Sequence, residues 1–203
     1  MKFELIMVII GLLSGAVMYS YYIPKWFLKV DVRSKGIDAN PGGYNAYITS
    51  KPLGYLCILL DILKGFIPVY VFVKIRGIDT FWITPMLLAP IIGHAFTPFL
   101  KGKGGKALST TAGAMLGLTG VSGVGMLLIC IAIFFSTIVI VEPFSSRVVF
   151  VMLVFNITII VFRMSNLWIS LASWIITGLL WYKQYIVKIK EPVIFRWWFD
   201  KVG

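Results

Sequence analysis

ALSTTAGAMLGLTGVSGVGMLLICIAIFFSTIVIV, residues 107–141, runs for 35 residues without one charged side chain. A bilayer core of about 30 Å takes about 20 helical residues. The run is therefore too long for one upright helix and tight for two. Gly120, Gly123 and Gly125 mark a break near its middle, which divides it into expected spans at 107–122 and 124–141. Further apolar segments lie at 4–22, 54–73 and 79–99 before it, and at 147–162 and 166–182 after it. The expected fold is an all-α integral membrane protein of about seven transmembrane helices, with residues 1–203 forming a single transmembrane domain.

Composition excludes the other classes. Hydrophobic residues make up 59% of the 203 and charged residues 13%, and the mean hydropathy is +0.92. A water-soluble globule cannot cover that much apolar surface, and a disordered chain does not carry it. Nineteen Lys and Arg against eight Asp and Glu leave a net charge of +11. On a membrane chain this excess reads as cytoplasmic-side bias and attraction to anionic headgroups or a phosphorylated substrate, not as a nucleic-acid surface. Cys57 and Cys130 sit inside apolar runs and read as small, reduced hydrophobes. With no CxxC and His94 as the only histidine, neither a metal site nor a cofactor is expected.

Orientation follows from counting cations by side. With the N-terminus outside, the inner loops and tail hold Lys25, Lys29, Arg33, Lys35, Lys51, Lys101, Lys103, Lys106, Arg147, Lys183, Lys188, Lys190, Arg196 and Lys201. The outside then holds Lys2, Lys74, Arg76 and Arg163, a ratio of 14 to 4, with Lys64 inside a span. The expected topology is N-terminus outside and C-terminus cytoplasmic. Glu4 and the lack of a small-x-small cleavage site around Met18–Ile23 argue for a retained first helix over a signal peptide. The tail Phe195-Arg196-Trp197-Trp198-Phe199 reads as an interfacial anchor.

Membrane insertion alone does not explain three polar segments, which fall with a fourth, weaker one on the inner face in this topology. Asp38-Ala39-Asn40-Pro41-Gly42-Gly43-Tyr44-Asn45 is a turn-rich loop whose backbone can approach a ligand, or a plain connection. Asp61-Ile62-Leu63-Lys64-Gly65-Phe66-Ile67-Pro68 puts a carboxylate and an ammonium three apart on one helix face within a span. Such a pair marks either function or mutual neutralisation. Gly93-His94 through Lys101-Gly102-Lys103-Gly104-Gly105-Lys106 opens directly into an apolar helix. Its glycines leave N–H groups free to converge on an anion, the helix start adds partial positive charge, and Lys103 and Lys106 add full charges. A lysine-rich inner loop needs no paired glycines, so phosphate binding is the preferred reading. Phe144-Ser145-Ser146-Arg147 is a shorter polar break that taken alone reads as a turn. No Walker A loop, HxxxxD box or Ser-His-Asp set is present, and Gly102-x-Gly104-x-x-Ala107 follows an apolar helix where a dinucleotide fingerprint needs a strand.

In order and spacing these segments resemble the bacterial acyl-phosphate:glycerol-3-phosphate acyltransferases of the PlsY type. Asn40, Pro41, Gly42 and Asn45 match the family's first motif, and Asp61, Lys64, Gly65 and Pro68 its second. Gly93, His94, Phe96, Phe99, Lys103, Gly104, Gly105, Lys106 and Thr110 match its third. The resemblance implies transfer of a fatty acyl group from acyl phosphate to glycerol 3-phosphate, giving lysophosphatidic acid, by a multi-pass protein of the plasma membrane with its motif loops on the cytoplasmic face. Ser146, His94 and Lys106 become the expected catalytic groups. Asn40, Gly42, Asn45, Lys64, Lys103, Gly104, Gly105 and Thr110 become the expected substrate-binding groups. In this reading the Gly104 and Gly105 amides with Lys103 and Lys106 hold the donor phosphate, and Lys51, Lys64 or Lys101 faces the acceptor phosphate. The chain departs from the family at Asp38, Ile48 and Tyr182, where the family has serine, arginine and histidine. A different acceptor, an inactive homologue and a small transporter therefore stay open, as does the oligomeric state.

Overall fold

A computed structural model describes residues 2–36, 38–185 and 192–197. Helices α1 (Lys2–Ala16) and α2 (Tyr19–Leu28) run on with a break at Val17 and Met18, followed by the short α3 (Gly43–Thr49). The long α4 (Lys51–Arg76) and α5 (Ile83–Ala95) come next, then α6 (Leu108–Leu116) and α7 (Val124–Thr137). Strand β1 (Val139–Glu142) precedes α8 (Phe144–Val161) and α9 (Leu167–Tyr185), and β2 (Ile194–Trp197) closes the described chain.

Among the described residues, four stretches are long and apolar enough to cross a membrane: Lys2–Leu28, Lys51–Arg76, Ile83–Leu100 and Phe144–Val161. The uncharged 107–141 run breaks where its glycines predict, but its pieces are shorter than expected. The first is a helix of 9 residues followed by turns through Val121, and the second is a helix of 14 residues that passes into β1. The all-helical expectation holds apart from one small ribbon. In it β1 pairs antiparallel with β2, Val139 opposite Trp197 and Glu142 opposite Ile194. The expected tail anchor is thus partly a strand, with Phe195, Arg196 and Trp197 exposed. Trp198 and Phe199, and the cations Lys188, Lys190 and Lys201, lie outside the described residues.

Small residues set the helix contacts. A Cβ on Gly65 would strike the Thr110 carbonyl, and one on Gly113 the Ile62 carbonyl, so α4 and α6 meet backbone to backbone. A Cβ on Gly93 would strike the Leu12 carbonyl and one on Gly15 the Pro90 carbonyl, which sets the same close approach between α1 and α5. Where α8 meets α9 the contact is polar. The Asn156 amide donates to Thr177 Oγ1 at 2.8 Å, and Ser173 Oγ donates to Asn156 Oδ1. All three side chains are buried, as unsatisfied polar groups in an apolar bundle would be costly. Leu5, Ile6, Ile9, Ile10 and Leu13 stay exposed along α1, a surface suited to lipid.

Candidate active site

The polar segments converge on one cavity of about 730 Å³ at one end of the helices. Asp38, Asn40, Gly42, Tyr44 and Asn45 line it from the first loop and α3, Tyr47 and Tyr55 from the flank, and Asp61 and His94 from the floor. Lys106, Ala107, Leu108 and Ser109 contribute from the start of α6, and Phe144, Ser145 and Arg147 from the start of α8.

Local hydrogen bonds fix the first loop. Asp38 Oδ1 accepts from the Asn40 N–H at 3.2 Å and from the Asn45 amide at 3.5 Å. The Asn45 amide also donates to the Asn40 carbonyl at 2.7 Å, so this side chain staples the turn that leads into α3. Asp38 Oδ2 meets the Lys106 ammonium at 2.8 Å. Burial alone would raise the Asp38 pKa; the hydrogen bond and charge of Lys106, backed by Asn40 and Asn45, outweigh it and hold the carboxyl below its ordinary range.

The floor is a buried ion-pair network. Lys64 Nζ lies 2.8 Å from Asp61 Oδ1 and donates to the Val17 carbonyl at 2.5 Å, while Ser20 Oγ donates to Asp61 Oδ2 at 2.5 Å. Both charges are almost wholly buried, so each is retained because the other and these hydrogen bonds compensate it. His94 Nδ1 lies 3.1 Å from Thr110 Oγ1 and 3.9 Å from Asp61 Oδ1.

The glycine loop folds onto this floor. A Cβ at Gly104 would overlap the His94 carbonyl, and one at Gly105 the His94 ring. The Gly105 N–H donates to the His94 carbonyl at 3.2 Å, and Lys183 Nζ clamps the Ala95 and Gly104 carbonyls at 2.9 and 3.2 Å. Ala107 then takes a left-handed conformation, φ 59°, and α6 starts without a side-chain cap. Its first amides have no partner within the helix, and Leu108 and Ser109 place that start at the cavity wall.

Of the expected site residues, Asn40, Gly42, Asn45, His94 and Lys106 meet at the cavity. Lys64 and Thr110 are buried behind the wall. Of the expected cradle, the Gly105 amide donates to the His94 carbonyl, both glycines pack inward, and Lys103 is exposed away from the lining. Ser146 is half-buried and outside the lining, with its neighbours Ser145 and Arg147 in it. None of Lys51, Lys64 or Lys101 reaches the wall; Arg147 is the cation that joins Lys106 there among the described residues. Arg147 Nε donates to the Val141 carbonyl at 2.8 Å and its guanidinium stacks 5.8 Å from the Phe144 ring centroid. The signal for Arg147 was present as a cation one residue beyond Ser146 at the mouth of a span. The aromatic wall of Tyr44, Tyr47 and Tyr55 had no sequence signal beyond ordinary apolar patterning. Ile48 and Tyr182 are exposed, the latter with its ring 6.4 Å from Phe96. Among the described residues no three His, Cys, Asp or Glu side chains gather to hold a metal.

Residues 5–191 match the family model described as glycerol-3-phosphate acyltransferase. The chain belongs to the glycerol-3-phosphate acyltransferase family. It is 40% identical over 116 residues to glycerol-3-phosphate acyltransferase 2 of Thermotoga maritima, a match covering 57% of this chain and 58% of that one. It is 41% identical over 138 residues to the glycerol-3-phosphate acyltransferase of Staphylococcus saprophyticus, covering 64% and 66%. The matches thus span less than two thirds of these relatives' lengths. Among solved structures the fold is similar to PlsY (YgiH), an integral membrane glycerol 3-phosphate acyltransferase, in its glycerol 3-phosphate form. The TM-score is 0.78 at 27% identity, covering 90% of this chain and 88% of that one. Its lysophosphatidic acid form gives a TM-score of 0.74. This member of the glycerol-3-phosphate acyltransferase family is a multi-pass membrane protein, with its cavity where four separate polar segments meet.

Proposed function

We propose that the cavity transfers a fatty acyl group from acyl phosphate to a hydroxyl of glycerol 3-phosphate, releasing inorganic phosphate and lysophosphatidic acid. One observation carries this reading: Lys106, Arg147 and the uncapped start of α6 face a single cavity whose other wall is aromatic. That arrangement suits a phosphate head joined to an apolar chain.

The acceptor hydroxyl oxygen attacks the acyl carbonyl, the new C–O bond forms, and the bond from acyl carbon to phosphate oxygen breaks. Negative charge grows on the carbonyl oxygen and then on the departing phosphate. Lys106, Arg147 and the α6 amides stabilise that charge; a well-placed donor of this kind contributes about 3 kcal/mol to such a step. Ser145 and Ser109 supply hydroxyls at the wall. A substrate phosphate accepts the proton, so the step needs no enzyme base. His94, bonded to Thr110 and packed by Gly105, braces the loop from which Lys106 extends.

The whole described chain acts as one transmembrane acyltransferase domain in the plasma membrane, passing seven times with the N-terminus outside and the cavity facing the cytoplasm. Support comes from the two ends of the helices. Asn166 donates to the Ile78 carbonyl at 2.7 Å at the end away from the cavity, and Glu4 pairs with Arg76 there. Lys106 and Arg147 lie at the cavity end, in keeping with the cation bias.

The test is direct. Purified protein given palmitoyl phosphate and glycerol 3-phosphate is expected to form lysophosphatidic acid, identified by mass. Lys106→Ala combined with Asp38→Asn, which leaves no orphaned carboxylate, is expected to lose at least about 100-fold in rate. Full rate in the double variant would remove the proposed anion site.

A further inference from the structure

We propose that the far end of the α8–α9 hairpin holds one anionic phospholipid, with its phosphate on Arg163 and an acyl chain in the groove below. The site lies in the leaflet opposite the active-site cavity and is independent of the chemistry proposed there.

A groove of about 550 Å³ runs between α8 and α9 at the end away from the cavity. Its mouth is polar, lined by Arg163, Ser165 and Ser170. Arg163 follows the end of α8 in a left-handed conformation, φ 49°, and is exposed. Other cations of this end are engaged: Arg76 pairs with Glu4, and Lys74 Nζ lies 5.4 Å from the Tyr70 ring centroid. The acid beside the hairpin, Asp79, receives the Asn166 amide at 3.2 Å. Among the described residues no carboxylate or ring meets the Arg163 guanidinium, and no acid lines the groove. The Ser165 and Ser170 hydroxyls bond each other at 2.7 Å. That bond spends one O–H as donor, so the other O–H can donate to an acceptor at the mouth.

Below the mouth the groove is apolar and uncovered. Leu167, Leu171 and Trp174 lie on one face of α9, and Ile160 lines the groove from α8. All four are exposed. Aromatic rings give the depth. The Phe81 ring lies 4.8 Å from Trp82 and 6.3 Å from Trp168 by centroids at this same end, and tryptophans cluster at headgroup level. Trp174 is about 9 Å further along α9 from Trp168, which places it beside acyl chains. The groove thus has a cation and hydroxyls at the interface and an apolar floor in the hydrocarbon.

Charge decides the occupant. A guanidinium grips phosphate oxygens through a fork of N–H donors. A zwitterionic choline lipid brings a cation of its own beside Arg163, and that cation has no N–H or O–H to give. An anionic lipid brings no such repulsion. A second copy of the chain offers this groove only its exposed apolar residues and another Arg163 if it packs by two-fold symmetry, and the groove has no carboxylate to receive that charge.

The experiment is native mass spectrometry of the delipidated full chain in detergent, titrated with dioleoyl phosphatidylglycerol or dioleoyl phosphatidylcholine. The first phosphatidylglycerol is expected to bind about tenfold more tightly than the first phosphatidylcholine. Arg163→Gln alters an exposed side chain far from the cavity, so the thermal midpoint is expected to stay native. The same change is expected to weaken phosphatidylglycerol about tenfold and leave phosphatidylcholine unchanged. Trp174→Ala is expected to weaken both lipids by a similar factor. Equal affinity of the native chain for the two lipids overturns the proposal. So does a phosphatidylglycerol affinity that survives Arg163→Gln in folded protein, because the lipid would then sit elsewhere. A dimer mass that Trp174→Ala dissolves would assign the groove to a second copy and overturn it too. None of these outcomes touches the acyl-transfer reading, which is measured separately by product formation.

Discussion

Ala107 shows how much one dihedral angle carries. The glycine loop must turn sharply to launch α6 toward the cavity, and the turn puts Ala107 at φ 59°. Left-handed backbone costs an L-residue about 1–2 kcal/mol and glycine much less. A glycine would meet this turn without that strain. Ala107→Gly is expected to raise stability by about 1 kcal/mol net of the added chain entropy, read as a higher thermal midpoint in detergent; a lower midpoint would contradict the strain. Asp38 is a second case. From the sequence it is an unwelcome charge beside phosphates, because nothing in the order of residues says that Lys106, far along the chain, closes onto it. Its lowered pKa fixes the pH dependence. The contribution of the ionised pair is present above the ordinary carboxylate value of about 3.9 and is lost as pH falls through the lower native value. The stability gap between the native chain and Asp38→Asn is expected to stay constant from pH 7 to about pH 4 and to close only below that. A gap that closes between pH 6 and 5 would show the carboxyl to be raised instead.

At the scale of elements, packing decides what motif residues do. Gly65 and Gly113 let α4 and α6 touch through their backbones, which brings Asp61 and Lys64 under the start of α6. Gly113→Ala drives a methyl into the Ile62 carbonyl and is expected to cost about 1–3 kcal/mol. Its effect on acyl transfer should follow from displacement of α6, visible as a rise in KM for the phosphorylated substrate together with a lowered thermal midpoint. An unaltered midpoint would mean that the two helices are not in contact. The convergence of the four polar segments was legible in the sequence because each interrupts an apolar run, and interruptions are costly unless used. Which residues line the cavity was not legible. Gly104 and Gly105 carry the pattern of an anion cradle, yet they are small so that the loop can lie on His94, and the Gly105 amide is spent there. Pattern identifies where backbone must come close, and only the fold says to what.

For the molecule as a whole, the decisive quantity is the side of the membrane on which the cavity opens. Hydropathy located the apolar segments well. It overestimated the two pieces of the 107–141 run, since a stretch without charges has no period to say where turns replace helix. The sidedness argument is independent of those lengths. Loop residues 96–107 and the start of α8 share the cavity end, while Arg163 and the Ile78–Asn166 contact share the other. A Cβ at Gly120 would lie 3.6 Å from Lys74 Nζ, so the turn between α6 and α7 also reaches that far end. Lys103 is exposed on the cavity side and Arg163 is exposed on the opposite side, which makes them matched reporters. In a chain with Cys57 and Cys130 replaced by serine, Lys103→Cys is expected to react with a membrane-impermeant maleimide only after the cells are opened. Arg163→Cys is expected to react in intact cells. The 14-to-4 cation bias expected from the sequence calls for this outcome if the chain follows the positive-inside rule. Labelling of Lys103→Cys in intact cells would put the cavity outside, away from any cytoplasmic supply of phosphorylated substrates, and the proposed reaction would have no route to its substrates.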